Sequence, residues 1–138
     1  MPSAETAETV FPAVPESVGA ARRFTRAALA RQDIDPEIID TATLLVSELA
    51  TNAVVHATST IQLRIGVSDE IRVEVRDASE DAPILEDVGP DRESGRGLAI
   101  VTSLADDWDW SRRPSGKVVW FSLARTPSRH AGSTASTA

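Results

Sequence analysis

The segment LVSELATNAVVHA, residues 45–57, decides how the chain is read. Leu45, Val46, Leu49, Ala50, Ala53 and Val54 give it the apolar content of a core helix. Glu48, Asn52 and His56 recur at every fourth position through it. Helical positions four apart are rotated by only about 40°, so three polar side chains share one stripe. Upstream, Asp35 as cap and Pro36 at the first helical position mark a strong start, which predicts a helix over 36–57. A Glu and an Asn on one inward-tilted stripe suit a hard cation and a positioned nucleophile. Mg²⁺ takes oxygen ligands, and a carboxylate near it can act as general base. A solvated polar face including Thr41 and Thr51 or Val55 would give the same pattern. His56 is expected to cap the helix end or pack at a pocket rim rather than serve as a base.

Ahead of this helix, Val18, Ala21, Phe24, Ala28 and Leu29 form an apolar stripe over 17–31, a second helix. TVFPA (9–13) reads as a short strand before it. Behind the central helix come two strands of strict alternation. Ile61, Leu63, Ile65 and Val67 alternate with polar residues in TIQLRIGVS, as do Ile71, Val73 and Val75 in EIRVEVRD. Ser68-Asp69-Glu70 is the turn between them. Such a period means a sheet covered on one side and wet on the other. GRGLAIVTSLADD (95–107) turns helical. DWDWSRR and GKVVWFSLA form a last hairpin, turning at Pro114-Ser115-Gly116. Helices early and strands late imply an α+β domain, with helices on one face of a largely antiparallel sheet.

Two features outside the central helix could carry chemistry. Counting by two from Ile71 reaches Asp77, so this carboxylate continues the core-facing parity of its strand. A buried charge needs a partner. A strand-end cap and a pocket floor that accepts a hydrogen bond from a ligand amino group both satisfy that need. After ASEDAPILEDVGPDRES (78–94), with two prolines and six carboxylates against one arginine, Gly95-Arg96-Gly97-Leu98 opens the next helix. The long segment is expected to be a lid. A glycine-rich turn at a helix N-terminus offers backbone N–H groups to phosphate, although flexibility alone also explains two glycines.

The chain of 138 residues suggests one domain. Its formal net charge of −7 argues against sequence-independent binding to nucleic acid or to an anionic membrane. It has no cysteine and two distant histidines, which removes thiolate chemistry and argues against a structural zinc site. The N-terminus lacks the pattern of a secretory signal. No stretch is expected to reach the ~20 apolar residues of a bilayer span, so a cytoplasmic protein is expected. Residues 1–8 and 125–138 are expected to be disordered tails around an ordered domain at 9–124, with the lid at about 78–94.

The order of these features resembles the GHKL (gyrase, Hsp90, histidine kinase, MutL) ATPase superfamily. Within it the chain is most similar to the small anti-sigma-factor serine/threonine kinases of the RsbW and SpoIIAB type. SELATNAVVHA looks like the N box of that family, VEVRDAS like its first glycine box and SGRGLAIV like its second; GKVVWFSL resembles its last strand. The resemblance covers residues 10–124. It implies the Bergerat two-layer α/β sandwich, on a mixed and mostly antiparallel sheet, with ATP and Mg²⁺ as cofactors. It makes Glu48 the catalytic base, Asn52 the Mg²⁺ ligand and Asp77 the adenine-recognising carboxylate. Gly95, Arg96, Gly97 and Leu98 become the phosphate-side turn. It implies an anti-anti-sigma protein as substrate, a sigma factor as alternative partner, and a homodimer along the edge of the N-terminal strand. The chain departs from the pattern where the first glycine box has Asp-x-Gly-x-Gly: Ser79 and Asp81 replace both glycines. A regulatory module of the same fold, acting by sequestration with little catalysis, is the alternative.

Overall fold

The computed structural model describes residues 5–56, 60–78, 101, 103–114 and 116–126. Five strands and two long helices are seen: β1 (Glu5–Pro12), α1 (Glu16–Ala30), α2 (Pro36–His56), β2 (Thr60–Val67), β3 (Glu70–Asp77), β4 (Asp107–Arg113) and β5 (Gly116–Ala124). The sheet runs β1-β2-β3-β5-β4, and each pairing is antiparallel. The α+β sandwich is therefore as expected, while the described strands form a purely antiparallel sheet rather than a mixed one.

Alternation decides which side of the sheet is covered. Ile61, Leu63, Ile65 and Val67 on β2 and Ile71, Val73 and Val75 on β3 are all buried, and the residues between them are not. On β5 the paired residues Leu123, Phe121 and Val119 continue the same face, and Trp108 and Trp110 on β4 pack against its edge. The helices close this face. Ala21, Ala28 and Leu29 of α1 join Ala42, Leu45, Val46, Leu49, Ala50 and Ala53 of α2 in one core with the strands.

The start of α2 is built as its sequence predicts. The Asp35 carboxylate accepts the Glu37 backbone N–H at 3.3 Å, satisfying one of the donors a helix start leaves unpaired. Between the helices, the Arg26 guanidinium meets Asp40 at 2.9 Å and that of Arg22 donates to Ser47 Oγ at 3.0 Å.

Three expectations are corrected. The strand expected at 9–13 begins at Glu5, because Glu5 to Pro12 find a complete register along β2. A polar sequence suffices on an edge strand, where one side meets water. Arg125, assigned to the tail, is held: its guanidinium donates to the carbonyls of Ser68 (2.7 Å) and Asp33 (3.2 Å). Finally, Pro36–Val55 does have the length and mean hydropathy, 1.4, of a membrane span. Half of that stretch is buried within the protein, since α2 packs on α1 as well as on the sheet. Its apolarity therefore belongs to a core helix.

Candidate nucleotide site

The inner face of the sheet changes character at one end. Across the strands, Ala7, Ile65, Val73, Phe121 and Trp108 lie on one rung, and Thr9, Leu63, Val75, Val119 and Trp110 on the next. The final rung runs Phe11, Ile61, Asp77, Lys117, Arg112. Apolar packing thus gives way to an acid and two bases.

Asp77 is where its parity places it, 8% exposed. Its partner is a surprise of the fold. Lys117 lies directly opposite on β5 and donates through Nζ to both carboxylate oxygens, at 3.2 Å to Oδ1 and 3.0 Å to Oδ2. The lysine is itself only 2% exposed. This strand pairing is possible because the residue before Lys117 is Gly116, with φ +150°. A Cβ there would fall on the carbonyl oxygen of Asp77.

α2 brings the other polar residues to the same end. It finishes at His56, and β2 begins at Thr60. Four chain steps limit that separation to about 15 Å, and the next residue, Ile61, pairs with Asp77. Asn52 sits one turn before the helix end and is 4% exposed, surrounded in sequence by the buried Leu49, Ala50 and Ala53. Its Oδ1 is the single buried side-chain oxygen or nitrogen among the described residues with no hydrogen-bond partner. Glu48, one turn earlier, is half-buried. The stripe is therefore graded from partly wet to dry, and a fully solvated polar face does not describe it. Thr51 is half-buried, its hydroxyl donating to the Ser47 carbonyl at 2.8 Å, and Val55 is exposed. The side chain of His56 and all of Gly95, Arg96, Gly97 and Leu98 lie outside the described residues, as do the segment expected to be a lid, beyond Ala78, and the expected tail beyond Thr126.

An orphaned amide oxygen suits a hard cation. Mg²⁺ commonly takes one or two protein oxygens and fills its shell with phosphate and water. Among the described residues no three of His, Asp and Glu gather into a metal site of their own. Asn52 Oδ1 fits a metal that arrives with a phosphate ligand and does not fit a resident ion held by protein alone.

Lys117 was missed by reasoning from sequence, although the signal exists: counting back by two from Phe121 reaches Val119 and then Lys117. In β5, Val118, Val119, Phe121, Ser122 and Leu123 are all buried, so the strand has no polar face to set the parity by eye.

Comparison with known proteins agrees with this architecture. Residues 11–123 match the family model of the histidine kinase-like ATPase domain. No curated protein matches the sequence. Among solved structures, the RsbU and RsbW domains of Rv1364c from Mycobacterium tuberculosis superpose with a TM-score of 0.67 at 18% identity, over 90% of this chain and 35% of that one. The blue-light activated histidine kinase of Erythrobacter litoralis EL346 gives 0.56 at 23%, over 78% and 42%. The catalytic domain of the histidine kinase ThkA gives 0.52 at 16%, over 88% and 97%. The chain thus spans about a third of the first and under half of the second. At these identities the likeness is one of fold.

Proposed function

The chain belongs to the histidine kinase-like ATPase domain family, and from that premise we propose that it is an ATP-binding protein serine/threonine kinase of the anti-sigma-factor type. The observation that carries the proposal is the buried, unpartnered Oδ1 of Asn52, one helical turn from the half-buried Glu48. An unsatisfied buried acceptor costs about 1–3 kcal/mol, and a ligand that supplies its partner explains why the fold carries it. Mg²⁺ bound with ATP would neutralise phosphate charge there. Asn52 offers it an oxygen, Glu48 accepts the proton of the acceptor hydroxyl, and Asp77 accepts a hydrogen bond from the adenine amino group. Gly95, Arg96, Gly97 and Leu98 are assigned to the phosphate side of the nucleotide.

The proposal extends to an anti-anti-sigma protein as phosphoacceptor and a sigma factor as the alternative partner, in the cytoplasm; the fold shared with a structure that contains an RsbW domain supports the partner-switching part of it. Dimerisation along the β1 edge belongs to the same proposal. A second reading, regulation by sequestration with little catalysis, is favoured by the engagement of the Asp77 carboxylate by Lys117. Serine and aspartate in place of the first-box glycines point the same way.

Calorimetry with Mg-ATP, followed by a phosphotransfer assay on an anti-anti-sigma protein, tests both. Saturable, Mg-dependent binding with phosphate transfer supports the kinase. Binding without transfer favours sequestration, and no binding at millimolar nucleotide sinks the ATP site.

A further inference from the structure

Lys117 raises a question of energetics. A charge pair buried this deeply seldom adds stability, because desolvation offsets the Coulomb gain. Well-packed apolar replacements of similar volume are often neutral or stabilising. Fold stability alone therefore gives little reason to place a lysine, 2% exposed, opposite Asp77. The position of the pair is the better clue. It occupies the rung where the inner face turns polar, next to the carboxylate assigned to the base.

An ammonium carries three donors and no acceptor. Among the described residues Lys117 directs two of these donors at the two oxygens of Asp77, so a third donor remains. Asp77 and Lys117 together present an acceptor beside a donor. A carboxylate alone selects a 6-aminopurine, since a 6-oxo group would set lone pairs against lone pairs. An acceptor–donor pair is complementary to two purine edges: the amino group and N1 of adenine, and the N1–H and 6-oxo group of hypoxanthine or guanine. We infer that Lys117 is a specificity-determining residue of the nucleotide site, and that with Asp77 it admits 6-oxopurine as well as 6-aminopurine nucleoside triphosphates. The inference rests on the ATP-site reading above.

The test is calorimetric titration of the full chain with ATP and with inosine triphosphate (ITP), both with Mg²⁺, for the wild type and Lys117→Met. ITP replaces the 6-amino group by an oxo group, puts a proton on N1, and leaves the ribose and triphosphate unchanged. Wild type is expected to bind ITP within about tenfold of ATP. Lys117→Met is expected to weaken ITP at least about tenfold more than ATP, the size of one charge-assisted hydrogen bond. A wild type that rejects ITP by more than about a hundredfold, as sites built for a single hydrogen-bonding group do, overturns the inference. So does an ATP-to-ITP ratio that the substitution leaves unchanged. Should Lys117→Met fail to fold, the wild-type ratio decides by itself. ATP binding with ITP rejected leaves the kinase reading standing, whereas absence of binding to either nucleotide sinks both.

Discussion

Gly116 lies so close to Asp77 that a single added methyl group at Gly116 would occupy the position of the Asp77 carbonyl oxygen. The contact is backbone against backbone, where β5 begins and β3 ends, so no side chain can swing aside. The φ of +150° at Gly116 is also one that other residues rarely adopt. Gly116→Ala is therefore expected to lower unfolding stability by about 2–3 kcal/mol, and to pull Lys117 out of register with Asp77. Urea denaturation measures the first effect. A stability unchanged within error would mean that the hairpin relaxes without cost.

The ion pair itself makes the next prediction. Lys117→Met removes the buried counter-charge that faces Asp77 and is expected to cost about 3–5 kcal/mol. Removing both charges, in Asp77→Leu with Lys117→Met, should recover most of that loss, because two apolar side chains can share the space the pair now fills. A double variant as unstable as the single one would show that Asp77 has a structural role beyond this pairing.

Asn52 separates function from stability. Its buried Oδ1 has no hydrogen-bond partner, so Asn52→Leu removes an unsatisfied acceptor from the core. Stability is expected to stay equal or rise by about 1 kcal/mol, while the Mg²⁺-dependent part of ATP binding disappears. Thermal melts and calorimetry with and without Mg²⁺ read the two effects. A clear loss of stability would mean that the amide is a structural group.

Much of the candidate site is legible in the sequence. Asp77 was legible because β3 has one wet face, so that Ile71, Val73 and Val75 count straight to it. Glu48 and Asn52 were legible because a helix of such apolarity makes polar residues conspicuous. Lys117 is hidden in a strand buried on both faces, where alternation of polar and apolar residues does not mark the core-facing side. The first four residues of β1 were hidden for the opposite reason. Glu5-Thr6-Ala7-Glu8 has the composition of a tail, and only the free edge of β2 makes it a strand. Local pattern reports burial on one face; it does not report partners supplied from far along the chain.

Arg125 illustrates such a long-range partner. It bridges the β2–β3 turn at Ser68 and the α1–α2 connection at Asp33, and its carbonyl accepts the Asp35 N–H at 3.2 Å. These contacts are largely exposed, so Arg125→Ala should cost only about 1 kcal/mol. Hydrogen exchange should quicken at Asp35, whose amide donates to the Arg125 carbonyl. Unchanged protection there would mean that the backbone holds its place without the side chain.

Glu48 is the residue on which the kinase reading turns. It stands half-buried on α2, one turn before Asn52, close enough in the helix to share a ligand yet too exposed to be a core group. Glu48→Gln keeps its size and hydrogen-bonding reach but removes its ability to take a proton. ATP affinity should therefore change by less than about threefold, since the proposed site assigns binding to Asn52 and Asp77. Phosphotransfer should fall by about a hundredfold or more, the usual contribution of a general base. Single-turnover transfer from labelled ATP measures the second quantity and calorimetry the first. If affinity and transfer fell together, Glu48 would be a nucleotide ligand, and the proton would have to be taken by another group.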